Sequence, residues 1–392
     1  APVHKRGMAM AVYGLGVVVA PIIGPTLGGW LTDNYSWRWM FLINVPVGVL
    51  AFMMCRAFVE DPPYLLEAKK RLGGVDYIGF GFMALWLATL QIILDKGQQE
   101  DWFEATWIIW FTVISAASCL AFIIWEFRVK HPIVNLRVLG NRNFAIGTIM
   151  ITCMGVVLYS TITLQPLFLQ NLMSYSALDS GMTLSPRGFG AVVAMVVVGR
   201  LIAKVDNRLM ICVGFAILGI TSYRISGITL QINQGFIAWP NVIMGVGMGL
   251  VFVPLSTVAM GGLPQEQMGN ASGIYNLMRN IGGGVGISLV TTMLSRGAQS
   301  NQALLVQHIT PTNPQFQGYF QGLTSYFSQS ADVVTAKLRA LSVVQSVISQ
   351  QAALLSYIDC FKFLALLSMA CIPGVMLLRR YKRQARAASG AH

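Results

Sequence analysis

Long stretches without a charge constrain this chain more than any other feature. A bilayer core about 30 Å thick asks for about 20 mostly apolar residues per helix. Ten stretches answer that demand: 8–31, 39–55, 77–94, 105–125, 144–170, 180–199, 209–223, 237–260, 270–295 and 355–378. The sixth is interrupted only by Arg187 and the ninth only by Arg279, while Asp359 and Lys362 stand near the start of the tenth. Of the 392 residues 55% are hydrophobic and 11% charged, against roughly a quarter charged in soluble domains. A water-soluble globule and a disordered chain are both excluded. The expected fold class is an all-α integral membrane protein with ten transmembrane helices.

The net charge of +12 acquires meaning from its position. With the N-terminus inside, Lys5, Arg6, Arg56, Lys69, Lys70, Arg71, Arg128, Lys130, Arg137, Arg142, Arg200, Lys204 and Arg208 share the inner side with the basic tail that starts at Arg379. Only Arg38, Lys96, Arg224, Arg296, Lys337 and Arg339 fall outside. Lys and Arg favour the cytoplasmic loops, so both termini are expected in the cytoplasm. The surplus is a topology signal and a contact for anionic lipid, with no nucleic-acid partner. The 6 Cys lie in or beside apolar spans as packing residues, and the 4 His, all in loops or tails, share no ligand spacing. No metal site and no catalytic residue is expected. There is no Walker A sequence. The glycine run Gly245–Gly249 has the wrong spacing for a nucleotide and reads as close helix packing.

Several strings carry a family signature. Ala20-Pro21-Ile22-Ile23-Gly24-Pro25-Thr26-Leu27-Gly28-Gly29 sets Gly24 and Gly28 on one helix face, where a neighbour can approach closely, and Pro25 bends the helix. Trp37–Gly48 follows it. Gly199-Arg200-Leu201-Ile202-Ala203-Lys204-Val205-Asp206-Asn207-Arg208 is a helix-to-loop turn with charges. Gly262-Leu263-Pro264 leads through Gly269–Gly273 to Asn276, Arg279, Asn280 and Gly282–Gly284. In their order these resemble the antiporter motif, the following helix, a degenerate second-half motif A and the penultimate helix of major facilitator drug:proton antiporters of the fourteen-helix, EmrB/QacA type.

The resemblance implies a major facilitator fold in which the ten spans correspond to helices five to fourteen. Residues 1–60 would then hold the last two helices of the N-terminal half and 61–142 two central linker helices with cytoplasmic loops. Residues 143–378 would be the C-terminal six-helix half, with a long periplasmic loop at 296–356, and 379–392 a basic cytoplasmic tail. Four helices are expected upstream, so the chain reads as an N-terminally truncated transporter. The implied activity is proton-coupled export of hydrophobic or amphipathic drugs across a bacterial inner membrane by alternating access. It has no cofactor beyond the proton gradient. The family's proton-coupling carboxylate lies in its first helix, and no span here carries an acid near its middle. The 392 residues alone are therefore expected not to transport.

A polar group at mid-membrane depth is a functional candidate. Arg279, with Ser272, Tyr275, Asn276, Gly283 and Gly286, forms a stripe at helical spacing that reads as a cavity wall or as interhelical glue. Arg187, after Pro186, lies nearer the outer surface, where gating or snorkelling is favoured over direct binding. Tyr159, Gln165 and Gln170 stand among Met and Phe on the fifth span, suited to adaptable contact with greasy drugs or to ordinary packing. Gly24, Pro25, Gly28 and Gly29 are assigned to packing and kinking, and Gly199, Arg200, Asp206 and Arg208 to a cytoplasmic gate. In the 296–356 loop Val334, Leu338, Leu341 and Ile348 suggest an amphipathic helix. Its role would be to dock a periplasmic membrane-fusion adaptor leading to an outer-membrane channel, or to serve as a solvated cap. Two further readings stay open: a major facilitator transporter of a physiological solute (small acid, sugar or siderophore), and a membrane enzyme or receptor.

Overall fold

A computed structural model describes residues 24–58, 76–129, 132–202, 204–307, 309, 313–330 and 332–378. Residues 8–23 of the first expected span, Ala203 of the motif A-like turn and the basic tail lie outside the described residues. Among the described residues all regular structure is helical. We number the helices α1 (residues 24–34), α2 (Trp39–Phe58, with a break at Ile43), α3 (Tyr77–Lys96), α4 (Thr106–Arg128), α5 (Arg142–Leu167), α6 (Ala177–Leu184), α7 (Pro186–Leu201), α8 (Asn207–Ile225), α9 (Gln234–Met260), α10 (Met268–Gln307), α11 (Pro314–Phe327) and α12 (Val333–Met376).

Eight described segments are long and apolar enough to cross a membrane: α2, α3, α4, α5 with its C-terminal extension to Leu172, α6 joined with α7, α8, α9 and α12. They answer eight of the ten expected spans. The ninth is α10, whose Asn, Ser, Gly and Arg279 dilute its hydropathy. It is 40 residues long and packs between α5 and α12. Polar caps set many of the helix starts, since a side-chain oxygen there satisfies a backbone N–H that the helix leaves open. Asn141 accepts from the N–H of Asn143 (3.0 Å) and Phe144 (3.3 Å), Asn233 from Phe236 (3.1 Å), and Ser176 from Asp179 (3.0 Å). Beyond Pro166 the chain widens into a π turn, Phe168–Leu172, and Ser174 takes a positive φ of 56°. The sixth expected span is two helices, because Pro186 opens α7 and cannot donate to the turn before it.

Helix α5 is the hub, packed on α10, α9 and α12, while α9 lies between α7 and α8, and α12 rests on α8 and α10. Helices α3 and α4 form a hairpin that touches the bundle through α10. Helix α2 has no buried residue, a composition and exposure that lipid tolerates on every side. The seams are built from glycine. Gly282 lies against the carbonyl of Thr152, Gly155 against the carbonyl of Arg279 and Gly283 against the Tyr159 ring. In the glycine run of α9, Gly245 meets Arg187 and Ala191 and Gly249 meets Ala194, all on α7, whereas Gly247 meets Ile217 on α8. The packing reading of that run holds.

The stretch expected as a long loop, 296–356, is largely helix. The ninth span continues as α10 to Gln307, α11 follows, and α12 runs unbroken for 44 residues into the last span. Asp332 caps α12 at the N–H groups of Val334 and Thr335 (3.2 Å each), and hydrogen bonding to Thr335 first, then Val334, holds its carboxyl below the usual value. An amphipathic helix is present, but its buried face is Ala336, Ala340 and Val344. Val334, Leu338 and Leu341 are exposed, because the shallow face of small residues is the one that fits against a neighbouring helix.

These seams separate two glycine substitutions on one helix. Gly282→Ala places a methyl on the Thr152 carbonyl and should cost about 1–3 kcal/mol of stability, as overpacking does. Gly273→Ala meets nothing within 4 Å and should be neutral or stabilising by up to about 1 kcal/mol through helix propensity. Thermal unfolding in detergent of both variants checks the contrast.

Candidate functional site

The six cavity candidates fall into two groups on different faces of α5. Thr161 and Gln165 are one turn apart on one face, whereas Gly155 and Tyr159 are one turn apart on another. A two-residue offset is about 200° around the helix at 3.6 residues per turn.

On the first face lies Arg187. It stands at the start of α7 and turns its guanidinium inward. Its Nε donates to Asn241 Oδ1 (2.9 Å), Nη2 to Asn241 Oδ1 and Gln165 Oε1 (2.6 Å each), and Nη1 to Thr161 Oγ1 (3.3 Å). Asn241 is itself fully buried and donates to the Ile237 carbonyl (3.0 Å). All four acceptor contacts are to neutral groups, and Gln165 is buried with its Nε2 unpartnered among the described residues. The snorkelling expectation is corrected: bonds to α5 and α9 hold the charge inside the bundle, away from head groups. Asn241 and Thr161 were missed. Asn241 was findable as a lone amide inside the apolar run 237–260.

On the second face, α10 presents its stripe. Tyr275 is buried with its hydroxyl unpartnered. Arg279, one turn on, places Cζ 5.6 Å from the centre of the Phe252 ring of α9, within cation–π range, and its Nε is buried without a partner. Tyr159 donates to Asn280 Oδ1 (3.4 Å) while its ring lies on Gly283. Asn276 is exposed and donates to the Ser272 carbonyl (2.9 Å). A cation, two phenols and two amides thus share one wall beside aromatic surface.

The motif positions behave differently from one another. Among the described residues nothing lies within 4 Å of a Cβ at Gly24 and Gly28 touches Met40 alone, at 3.4 Å; the close approach falls at Gly29, against the Ala177 carbonyl of α6. In return Gly181 of α6 sits on the carbonyl of Pro25, and Asp33 accepts the N–H of Leu178 at 2.7 Å. In the motif A-like turn Gly199 lies in open space and Arg200 is exposed. Asp206 caps α8 at the N–H of Arg208 (3.1 Å), and the Arg208 Nε is buried. Asp359 and Lys362 form the expected exposed pair, 3.6 Å apart.

The order of these motifs along one helical bundle is matched by a family profile, that of the Major Facilitator Superfamily, over residues 1–287. The chain belongs to that superfamily. Its relatives include the multidrug export protein EmrB of Haemophilus influenzae, 32% identical over 327 residues (83% of this chain, 63% of the relative). EmrB of Escherichia coli K12 is 33% identical over 323 residues (82% and 62%), and the fatty acid resistance protein FarB of Neisseria gonorrhoeae 31% over 380 (96% and 72%). The chain spans less than two thirds of the length of the two EmrB relatives. A crystal structure of a bacterial homologue of the human lysosomal transporter Spinster shares the fold, with a TM-score of 0.52 at 16% identity over 97% of this chain and 73% of the other. The EmrB-type resemblance and the membrane fold class are borne out.

The Arg187 cluster makes a testable energetic statement. Asn241→Leu leaves a buried guanidinium short of acceptors and should cost about 1.5–3 kcal/mol, the worth of hydrogen bonds to a charge. The double variant Arg187→Leu/Asn241→Leu should recover much of that loss, because it removes the stranded charge as well. Unfolding in detergent of both single variants and the double one measures the coupling.

Proposed function

We propose that this chain contributes the substrate-facing C-terminal half of a proton-coupled exporter of hydrophobic and amphipathic drugs in a bacterial inner membrane. It works by alternating access, with both described ends of the bundle joined to cytoplasmic termini. One observation carries the reading: the α10 wall of Tyr275, Asn276, Arg279 and Asn280, faced by Tyr159 and Phe252, joins a lone cation to aromatic surface. Such a wall offers broad van der Waals contact with a few convergent polar groups. EmrB-type relatives that carry multidrug export in their names support the choice of substrate class. Helices α5–α12 form one unit braced by the Arg187 cluster, and α1 belongs to the opposite half, meeting it at Gly29 and Gly181.

Arg279→Ala should lower efflux of amphipathic drugs at least tenfold while leaving expression and melting close to wild type. Efflux of an uncharged fluorescent amphiphile from cells producing the transporter together with the N-terminal helices that the resemblance implies, set beside uptake or export of a polar anion, reads both function and substrate class. Unchanged amphiphile efflux in Arg279→Ala, or selective loss of the polar anion, points to the solute-transporter reading.

The outer extension fits an adaptor. Helix α12 projects about 35 Å beyond its membrane portion at 1.5 Å per residue, and it exposes Val334, Leu338 and Leu341. These form an apolar stripe of the kind that another helix covers. Replacing all three by Ser should abolish co-purification of a periplasmic membrane-fusion adaptor and leave the fold intact, as circular dichroism would register.

A further inference from the structure

A second site lies outside the bundle interior, between the α3–α4 hairpin and the six-helix unit. It is a pocket of about 750 Å³. Its walls are Trp86 and Phe122 of the hairpin, Leu136 and Arg137 of the segment entering α5, Thr148 of α5 and Leu277 of α10. Nearly all of the lining is hydrocarbon or aromatic carbon. Its position is fixed by neighbouring contacts: Glu126, at the end of α4, turns inward to accept the N–H of Val134 (3.4 Å), and Trp86 stacks on Phe122 with centroids 6.0 Å apart.

One charged residue breaks the apolar lining. Arg137 lines the pocket and is exposed to solvent. Arg128, the last residue of α4, and Arg142, the first of α5, are exposed at the same end of the bundle. Deeper in the wall, Thr148 is 3% exposed and its hydroxyl oxygen is shut off from the pocket.

We propose that this pocket binds one anionic phospholipid of the cytoplasmic leaflet. The acyl chains occupy the space between hairpin and bundle and the phosphate lies at Arg137. The chemistry selects this occupant. A hydrocarbon-lined pocket with Arg137 in its lining, and with Arg128 and Arg142 exposed at the same end of the bundle to outnumber the carboxylates of Asp76 and Glu126, matches an amphiphile with a long apolar body and an anionic head. Cationic drugs meet the wrong sign of charge at the mouth. The pocket's end of the bundle is the one that the Lys/Arg asymmetry assigns to the cytoplasm, where anionic lipid attracts basic groups. The lipid would fill the gap along which the hairpin leans on the transport unit, and so would hold the two together. The site is independent of what the central cavity carries.

The 392-residue chain, purified in detergent and stripped of lipid, would be titrated with phosphatidylglycerol or phosphatidylcholine of identical acyl chains and read by native mass spectrometry. One phosphatidylglycerol should be retained in preference to phosphatidylcholine. Arg137→Gln, at an exposed position, should cut that preference about fivefold, the ratio equivalent to ~1 kcal/mol per basic group near an anionic surface. Ala145→Phe, which fills the pocket, should lose both lipids; if that variant does not fold, the Arg137→Gln arm decides alone. Equal retention of the two lipids by the unmodified chain overturns the proposal, as does an undiminished preference in Arg137→Gln. Displacement of the retained lipid by equimolar tetraphenylphosphonium also overturns it and assigns the pocket to a cationic drug.

Discussion

Close backbone approach at glycine is the interaction on which the structure depends. In hydrocarbon a helix must pair its own backbone groups, and burial of apolar side chains gives no drive to associate when lipid is equally apolar. Association then rests on contact area and on the few polar groups that cross between helices. Gly155, Gly282 and Gly283 let α5 and α10 close to backbone contact, and Gly245 and Gly249 do the same for α9 against α7. The candidate wall is a by-product of that closeness. Arg279 stands at mid-helix because its own carbonyl rests on Gly155, which fixes the rotation of α10 and aims the stripe.

The spans were legible because charge-free length is a one-dimensional property, and the topology signal was legible for the same reason. Helix rotation was not. Hydropathy is nearly uniform around a helix that lipid can touch on any side, so the pattern could not say that Arg187 turns toward Asn241, 54 residues away in sequence. The misreading of 296–356 had a different cause. Its Gln and Ser content looks like a loop, yet 333–372 contains neither Gly nor Pro, and Ala, Leu, Gln and Lys propagate a helix well. Absence of breakers outweighed polarity. At the antiporter motif the close approach falls on Gly29, one of the four assigned positions, and the carbonyl of Pro25, another, receives Gly181.

The two arginines show how one residue type takes opposite parts under one constraint. Arg187 spends its donors on Asn241, Gln165 and Thr161 and thereby ties α5, α7 and α9 into a unit. Arg279 keeps Nε free of protein partners and rests on an aromatic face. A buried cation with four bonds to neutral acceptors has little left to offer a ligand, whereas Arg279 is held by a ring contact with Phe252. That difference, and not depth in the membrane, is the ground for placing recognition at α10 and bracing at α7.

The same distribution of contacts decides where motion can occur. The glycine seam between α5 and α10, the seam between α9 and α7 and the Arg187 brace tie these helices together by close contacts. Rocking of the kind proposed must then be absorbed at the boundaries of that unit. One boundary is the α1–α6 crossing, where two glycines and a single carboxylate-to-backbone bond from Asp33 to Leu178 make a contact that is tight but small. The other is the hairpin, which meets the unit chiefly along α10 and around the apolar pocket. A lipid in that pocket would be a deformable filler at a moving boundary, following the hairpin as the unit tilts where protein side chains fixed by packing could not. On that proposal the brace and the pocket would be complementary: the first would let the unit move as a whole, and the second would let its neighbour stay in contact while it did.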